Sequence, residues 1–333
     1  MTKKDLGLLI LIIVVGAIVA SVNPRFLRLE NLANTSNTIG MFGISALGQA
    51  FVIITAGIEL SVGSVIALTG VLFVDLIANK GVPWPIALVL MLVLGAVIGL
   101  FHGLLITRLK MQPFIVTLCG LLFYRGIARF YTGDSTAGFG FNQNFPDLEF
   151  IAAGRSFGVP NTFIALVVIA AIMWVVMHRS IYGRYLYAVG KNEEAARYSG
   201  IKTGLIIVSA YIVCQMLTVI SSVYFAMYTR SIAPSAHGNF YELYAIAAAV
   251  LGGFSLRGGE GSVVGVILGV VLLQELQNLV IFLNIPSSLN YAIMGGVILL
   301  GVLVDQQFGA YRERRRIAEA AKQSAQPETV AAE

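Results

Sequence analysis

The sequence predicts an all-α polytopic membrane protein: a bundle of about ten transmembrane helices, some of them broken, with one short helix outside the bilayer. Two observations carry this. Charged residues make up 12% of the 333 residues, about half the share of a soluble domain, and the mean hydropathy is +0.84. Apolar runs of roughly 20 residues, the length that crosses a bilayer, recur along the whole chain between turn signals.

In chain order, the charged start Met1–Lys4 followed by apolar 6–20 has the outline of a signal peptide. Many spans follow, so an uncleaved first helix over 6–22 is expected. The second run, 32–55, stops at a break around Gly57. Runs 62–78 and 84–106 flank the turn Asn79-Lys80-Gly81-Val82-Pro83, and 113–131 is the fifth. Segment 132–161 is polar, with Asp134, Asp147 and Glu149. Spans over 162–177 and 203–227 enclose a polar connector, 178–202. A short apolar run, 243–254, is interrupted at 255–261, and spans over 262–282 and 287–304 close the bundle. The expected division is a membrane domain, 1–306, and a charged, Ala-rich tail, 307–333, partly disordered. A faint internal repeat relates 56–64 to 252–263: each interrupts an apolar run with glycines and an acid, then restarts at Ser-Val.

Lys and Arg placement sets the expected orientation. With both termini in the cytoplasm, Lys3, Lys4, Arg108, Lys110, the basic residues of 178–202, Arg257 and the tail arginines fall inside. Segment 132–161 then lies outside and 178–202 inside. Arg125 and Arg129, one turn apart, are expected to snorkel outward. No basic stripe interleaved with aromatics supports nucleic-acid binding. Cys119 and Cys214 sit alone in apolar runs, and His102, His178 and His237 are isolated, so no metal spacing appears.

Three segments stand out. In 183–201, Asn192 suits an N-cap, Glu193 and Glu194 complement the first turn, Ala195 and Ala196 favour helix, and Gly200 suits the C′ position. A two-turn helix between Gly190 and Gly200 follows. Such a helix does not persist alone in water, so it docks on its own bundle or on a partner; an ordinary connector is the plainer alternative. In the break 56–64, Glu59 and Ser61 either sit at membrane depth with a functional role or cap the next helix at the interface. In the next-to-last long span, Gln274, Gln277 and Asn278 share one helix face, which either looks into a pathway or bonds to another helix. Gln49 lies one turn and more before the break.

There is no GxxxxGK[ST] phosphate cradle, so an ATP-driven function would need another chain. Together these segments resemble the ribose-type permeases of ABC sugar importers. The stretch from Ala46 through Ala56-Gly57-Ile58-Glu59-Leu60-Ser61-Val62-Gly63-Ser64 is similar to that family's GGIDLSVGS signature, with Ala56 for Gly and Glu59 for Asp. Gln112-Pro113-Phe114-Ile115-Val116-Thr117-Leu118 with Tyr124-Arg125-Gly126, the 183–201 loop, and Tyr241-Glu242-Leu243 through Gly261-Ser262 are similar to its later blocks.

The resemblance implies a permease subunit in the bacterial inner membrane, not an enzyme. It implies a second or sister permease copy, and a cytoplasmic ABC ATPase that carries ATP and Mg and docks on 183–201 through Gly190, Asn192, Glu193, Glu194, Ala195, Ala196 and Gly200. A periplasmic binding protein would deliver a small sugar (ribose-like pentose, hexose or related polyol) to the outer surface, including 132–161. Gln49, Glu59, Ser61, Gln274, Gln277 and Asn278 are the candidate pathway-lining residues, and no cofactor is expected on this chain. The other class left open is an ion-coupled secondary transporter of a small polar solute, which would need buried carboxylates; Glu59, Asp75 and Glu275 are the few available.

Overall fold

The computed structural model describes residues 3–140, 143–283, 285, 286, 289, 291–296, 299 and 303. It is an all-α polytopic membrane protein, as predicted. Residues up to Ile285 form one compact unit and those from Pro286 a second. In the second, 291–296 are helical; the predicted tail, 307–333, lies outside the described residues.

The helices of the first unit are α1 (Lys3–Val22), α2 (Leu29–Ile54), α3 (Val62–Ala78), α4 (Trp84–Arg108), α5 (Pro113–Thr132), α6 (Pro146–Ala153), α7 (Asn161–His178), α8 (Ile181–Lys191), α9 (Glu193–Tyr198), α10 (Thr203–Thr229), α11 (Tyr241–Leu251) and α12 (Val263–Phe282). Among the described residues, seven of them (α1, α2, α4, α5, α7, α10 and α12) are long and apolar enough to cross a membrane, while α3 and α11 are shorter apolar helices. The periphery reads from composition: α1, α4, α5 and α7 expose Leu, Ile, Val and Phe along their outer faces. Helix α2 is almost wholly buried at the centre, with α10, α7, α11 and α12 packed around it.

Small residues set the closest approaches, as in other membrane bundles. Gly95, Gly99 and Gly103 bring α4 onto the α10 backbone, and Gly265 and Gly269 bring α12 onto Ala248 and Gly252.

Two connections depart from simple spans. After α2, residues 55–56 turn, with Ala56 at φ 60°, and 57–61 run on without regular structure. After α10, residues 230–240 pair briefly with 137–138 as short antiparallel strands, Ala137 opposite Ile232, and then pass along α3. Ile232 touches Gly70, and the Gly238 backbone lies against Gly63, closer than any β-carbon would permit on either residue. The N-terminal ends of α3 and α11 thereby converge inside the bundle. Of the weak repeat read at 56–64 and 252–263, the first copy meets 238–242 here through Gly63, while the second reaches the first at Gly258 and Ala56.

Segment 132–161 folds as α6 and a hairpin pairing Arg155–Ser156 with Val159–Pro160. Ala152 is buried against Phe73 and Val223 of the bundle, and Arg230 bonds Glu149 at 2.6 Å. The connector 178–202 is not merely polar. It holds α8, capped by Ser180 through the Gly183 N–H and burying Leu186 and Val189.

Candidate functional site

The break between α2 and α3 carries the densest buried polar network. Glu59 is fully buried, and its Oε1 accepts from the N–H (2.7 Å) and O–H (2.6 Å) of Ser61, the residue that begins α3. Its Oε2 lies 2.8 Å from His102 Nδ1 on α4. Because a carboxylate only accepts, Nδ1 carries the hydrogen in this arrangement. His102 Nε2 meets the Tyr124 hydroxyl of α5 at 3.0 Å, and Gln215 Nε2, halfway along α10, donates to Ser61 Oγ at 3.1 Å. The exposed backbone of the break is satisfied too: Ile58 O accepts from Tyr211 OH at 3.2 Å and Thr117 Oγ1 at 3.3 Å. Side chains from three helices, α4, α5 and α10, thus support the break where the helical ladder is interrupted.

Glu59 thus lies deep in the bundle and holds Ser61 just ahead of α3. Glu242, in the first turn of α11, lies against Gly63. Each converging helix start therefore carries a carboxylate, which the dipole favours. Arg125 does not snorkel. Its Nη1 reaches inward to the carbonyls of Pro234 (2.8 Å) and His237 (2.6 Å), holding segment 231–240 in place. Arg129 does face outward, pairing with Asp134 at 2.6 Å. Hydrogen bonds and charge from Arg129 hold the exposed Asp134 carboxyl below its usual range.

Gln49 on α2 is fully buried; its Nε2 has no partner among the described residues, nor does Gln215 Oε1. On α12, Gln274 is buried, Gln277 half-buried, and Asn278 Nδ2 donates to Thr35 Oγ1 of α2 at 2.7 Å. Among the described residues no hydrogen bond joins the α12 set to the Glu59 set.

The capped helix read in 183–201 is present as α9. Asn192 Oδ1 accepts from the Ala195 N–H at 2.9 Å. At the other end, Gly200 at φ 83° donates to Arg197 O, and Ile201 N–H donates to Ala196 O at 3.1 Å, a Schellman closure. Glu193, Glu194, Ala195, Arg197 and Tyr198 are exposed, whereas Ala196 is buried among Val52, Val189 and Ile207. The alanines therefore divide: Ala195 outward, Ala196 into the chain's own bundle. Gly190 belongs to the last turn of α8. Tyr187 of α8 donates to Gly261 O at 2.8 Å, and burial pushes its phenol up to about 12, so the donor stays protonated.

Sequence reasoning missed His102, Tyr124, Gln215 and Tyr187. Tyr124 and Tyr187 lie in blocks read only for family likeness, and the partners of the other two are distant, 43 residues for His102–Glu59 and 154 for Gln215–Ser61.

Comparison with known proteins bears on this geometry. Ribose import permease protein RbsC of Escherichia coli (strain K12) is 37% identical over 299 residues, covering 90% of this chain and 92% of that protein. RbsC of Bacillus subtilis (strain 168) is 39% identical over 306 residues, 92% of each. Galactose/methyl galactoside import permease protein MglC of Escherichia coli (strain K12) is 35% identical over 318 residues, 91% of this chain and 94% of that one. No solved structure matches the chain. The model of the family described as branched-chain amino acid transport system / permease component matches residues 31–302, and with nine-tenths of the length shared with these relatives, the chain belongs to that permease family.

Proposed function

We propose that this chain is the membrane-spanning subunit of an ABC importer that moves a monosaccharide, delivered by a periplasmic binding protein and driven by ATP hydrolysis on a separate cytoplasmic subunit. The observation that carries the reading is full-length similarity to import permeases whose names specify ribose and galactose. The exposed face of α9 supports it: a six-residue helix, capped at both ends, offers Glu193, Glu194, Ala195, Arg197 and Tyr198 to a partner. In this reading α9 is the ATPase-coupling element and lies with both termini in the cytoplasm of a bacterial inner membrane. A second permease copy or a sister permease completes the pathway, and ATP and Mg stay on the ATPase.

Gln49, Glu59, Ser61, Gln274, Gln277 and Asn278 are the polar groups we place beside that pathway. The unpartnered Nε2 of Gln49 is a donor that a sugar hydroxyl or a water would satisfy, and a buried donor left alone is costly.

The test is reconstitution in liposomes with the cognate ATPase and binding protein, using radiolabelled ribose and galactose as probes. Uptake should require ATP on the ATPase side and persist when ionophores collapse proton and sodium gradients. The purified chain alone should hydrolyse no ATP. Uptake that needs no ATP and stops with an ionophore would replace this reading with ion-coupled transport.

A further inference from the structure

The last turn of α8 meets two other backbones at one point. A β-carbon on Gly190 would overlap the Ile54 carbonyl oxygen at the end of α2, and one on Gly258 would lie 2.8 Å from Gly190 O. The Ile54 carbonyl is one of the acceptors that a helix C-terminus leaves without an intrahelical partner; here it accepts from the Gly259 N–H at 2.8 Å. Tyr187 adds a second tie from α8 to the same loop through Gly261 O. Only Asn192 separates α8 from α9, and its side chain caps α9, so the two helices share a fixed corner.

What attaches to this point matters. Ile54 leads into 55–61 and then α3; loop 252–262 joins α11 to α12. The far ends of both arms meet again at Gly63 and Gly238. We propose that the Gly190–Ile54–Gly259 contact is a rigid junction through which displacement of α9 drives both broken-helix arms at once, making Gly190 and Gly259 positioning residues for transport. This rests on the coupling role proposed for α9. Backbone against backbone suits the task, because it has no rotamers to absorb a movement of about an ångström, and packed interfaces shift between discrete arrangements rather than deform.

The test uses the complete assembly in liposomes, with Gly190→Ala, Gly259→Ala and the double variant, read by ATP-driven uptake of whichever of ribose and galactose the unmodified assembly accumulates. Each single variant should lose uptake by at least about tenfold, equivalent to 1.4 kcal/mol, and Gly259→Ala, outside the coupling loop, should do so while retaining bound ATPase and basal hydrolysis. The double variant should be no worse than the worse single one, since both break the same contact. Normal uptake in either single variant, or losses that multiply in the double, would overturn the junction. Should the variants fail to accumulate, hydrogen exchange on the unmodified assembly decides. The Gly259 amide should stay protected in both nucleotide-free and vanadate-trapped states, and protection lost on trapping would refute a rigid junction. Tyr198→Ala separates the premises: if it keeps full ATPase binding and uptake, the coupling role of α9 falls. If it loses them while Gly190→Ala is silent, only the junction falls.

Discussion

Removing the imidazole of His102 leaves Glu59 fully buried beside a hole where its partner stood. A buried pair broken from one side costs roughly 3 kcal/mol or more, whereas neutralising both partners costs much less. The His102→Ala variant should therefore unfold well below the unmodified protein in a detergent thermal-shift measurement. Glu59→Gln should do less harm, because its amide oxygen can still accept from the Ser61 N–H and O–H and its side chain still fills the space beside His102. Equal losses in the two variants would mean that Glu59 is held by Ser61 alone. The length of the acid also matters: Glu59→Asp withdraws the carboxylate by one methylene, too far to hold Ser61 and His102 together, and should give an intermediate loss. That Glu59 was singular could be read from the sequence, since an acid in an apolar run needs a reason. Its partner could not. His102 sits in the sequence as one histidine among Gly, Leu and Phe, and only the packing of α4 against the break joins the two.

At the scale of one element, α9 was the most legible piece of the chain, because its caps are local chemistry. Asn192, Gly200 and the acids of the first turn each act on backbone within four residues. Gly200→Ala meets open space but a left-handed backbone, so its penalty is conformational, about 1 kcal/mol, and should appear as weaker ATPase co-purification with normal membrane abundance. Ala196→Trp is different. Sequence reasoning assigned this side chain to a partner's groove, but it packs among Val52, Val189 and Ile207. Overfilling that site should lower the amount of folded protein in the membrane, and normal abundance with selective loss of the ATPase would contradict the packing. Helix α8 was illegible for the opposite reason. Its buried Leu186 and Val189 are interleaved with Gly183, Arg184, Tyr185 and Lys191, a pattern that resembles a polar connector until α2 is placed beneath it. Arg125 was misjudged likewise, since the carbonyls that it reaches, on Pro234 and His237, are over a hundred residues away.

For the whole molecule, the spans were readable from hydropathy and the path between them was not. The charge bias predicts that a cysteine placed at Glu194 reacts with a membrane-impermeant maleimide only after cells are permeabilised, and one placed at Arg155 reacts in intact cells whose outer membrane alone is opened. The reverse pattern would invert the topology. Shape adds what charge does not. Helix α11 has 11 residues, about 16 Å of rise, against roughly 30 Å of hydrocarbon. Its partner α3 begins where the irregular 55–61 ends and has 17 residues, so neither arm presents a full-length apolar rod to the biosynthetic machinery. An ordinary span can leave the translocon as soon as it is made. Segment 230–251 cannot, because although its first half bonds to earlier residues, through strand 137–138 and Arg125, its helical half packs on α12, which is synthesised afterwards. Maturation of this region therefore waits for the C-terminal spans, and a nascent chain stopped just after residue 251 should hold the Glu242 region in a protease-sensitive, incompletely inserted form that release of the full-length chain converts to the native one.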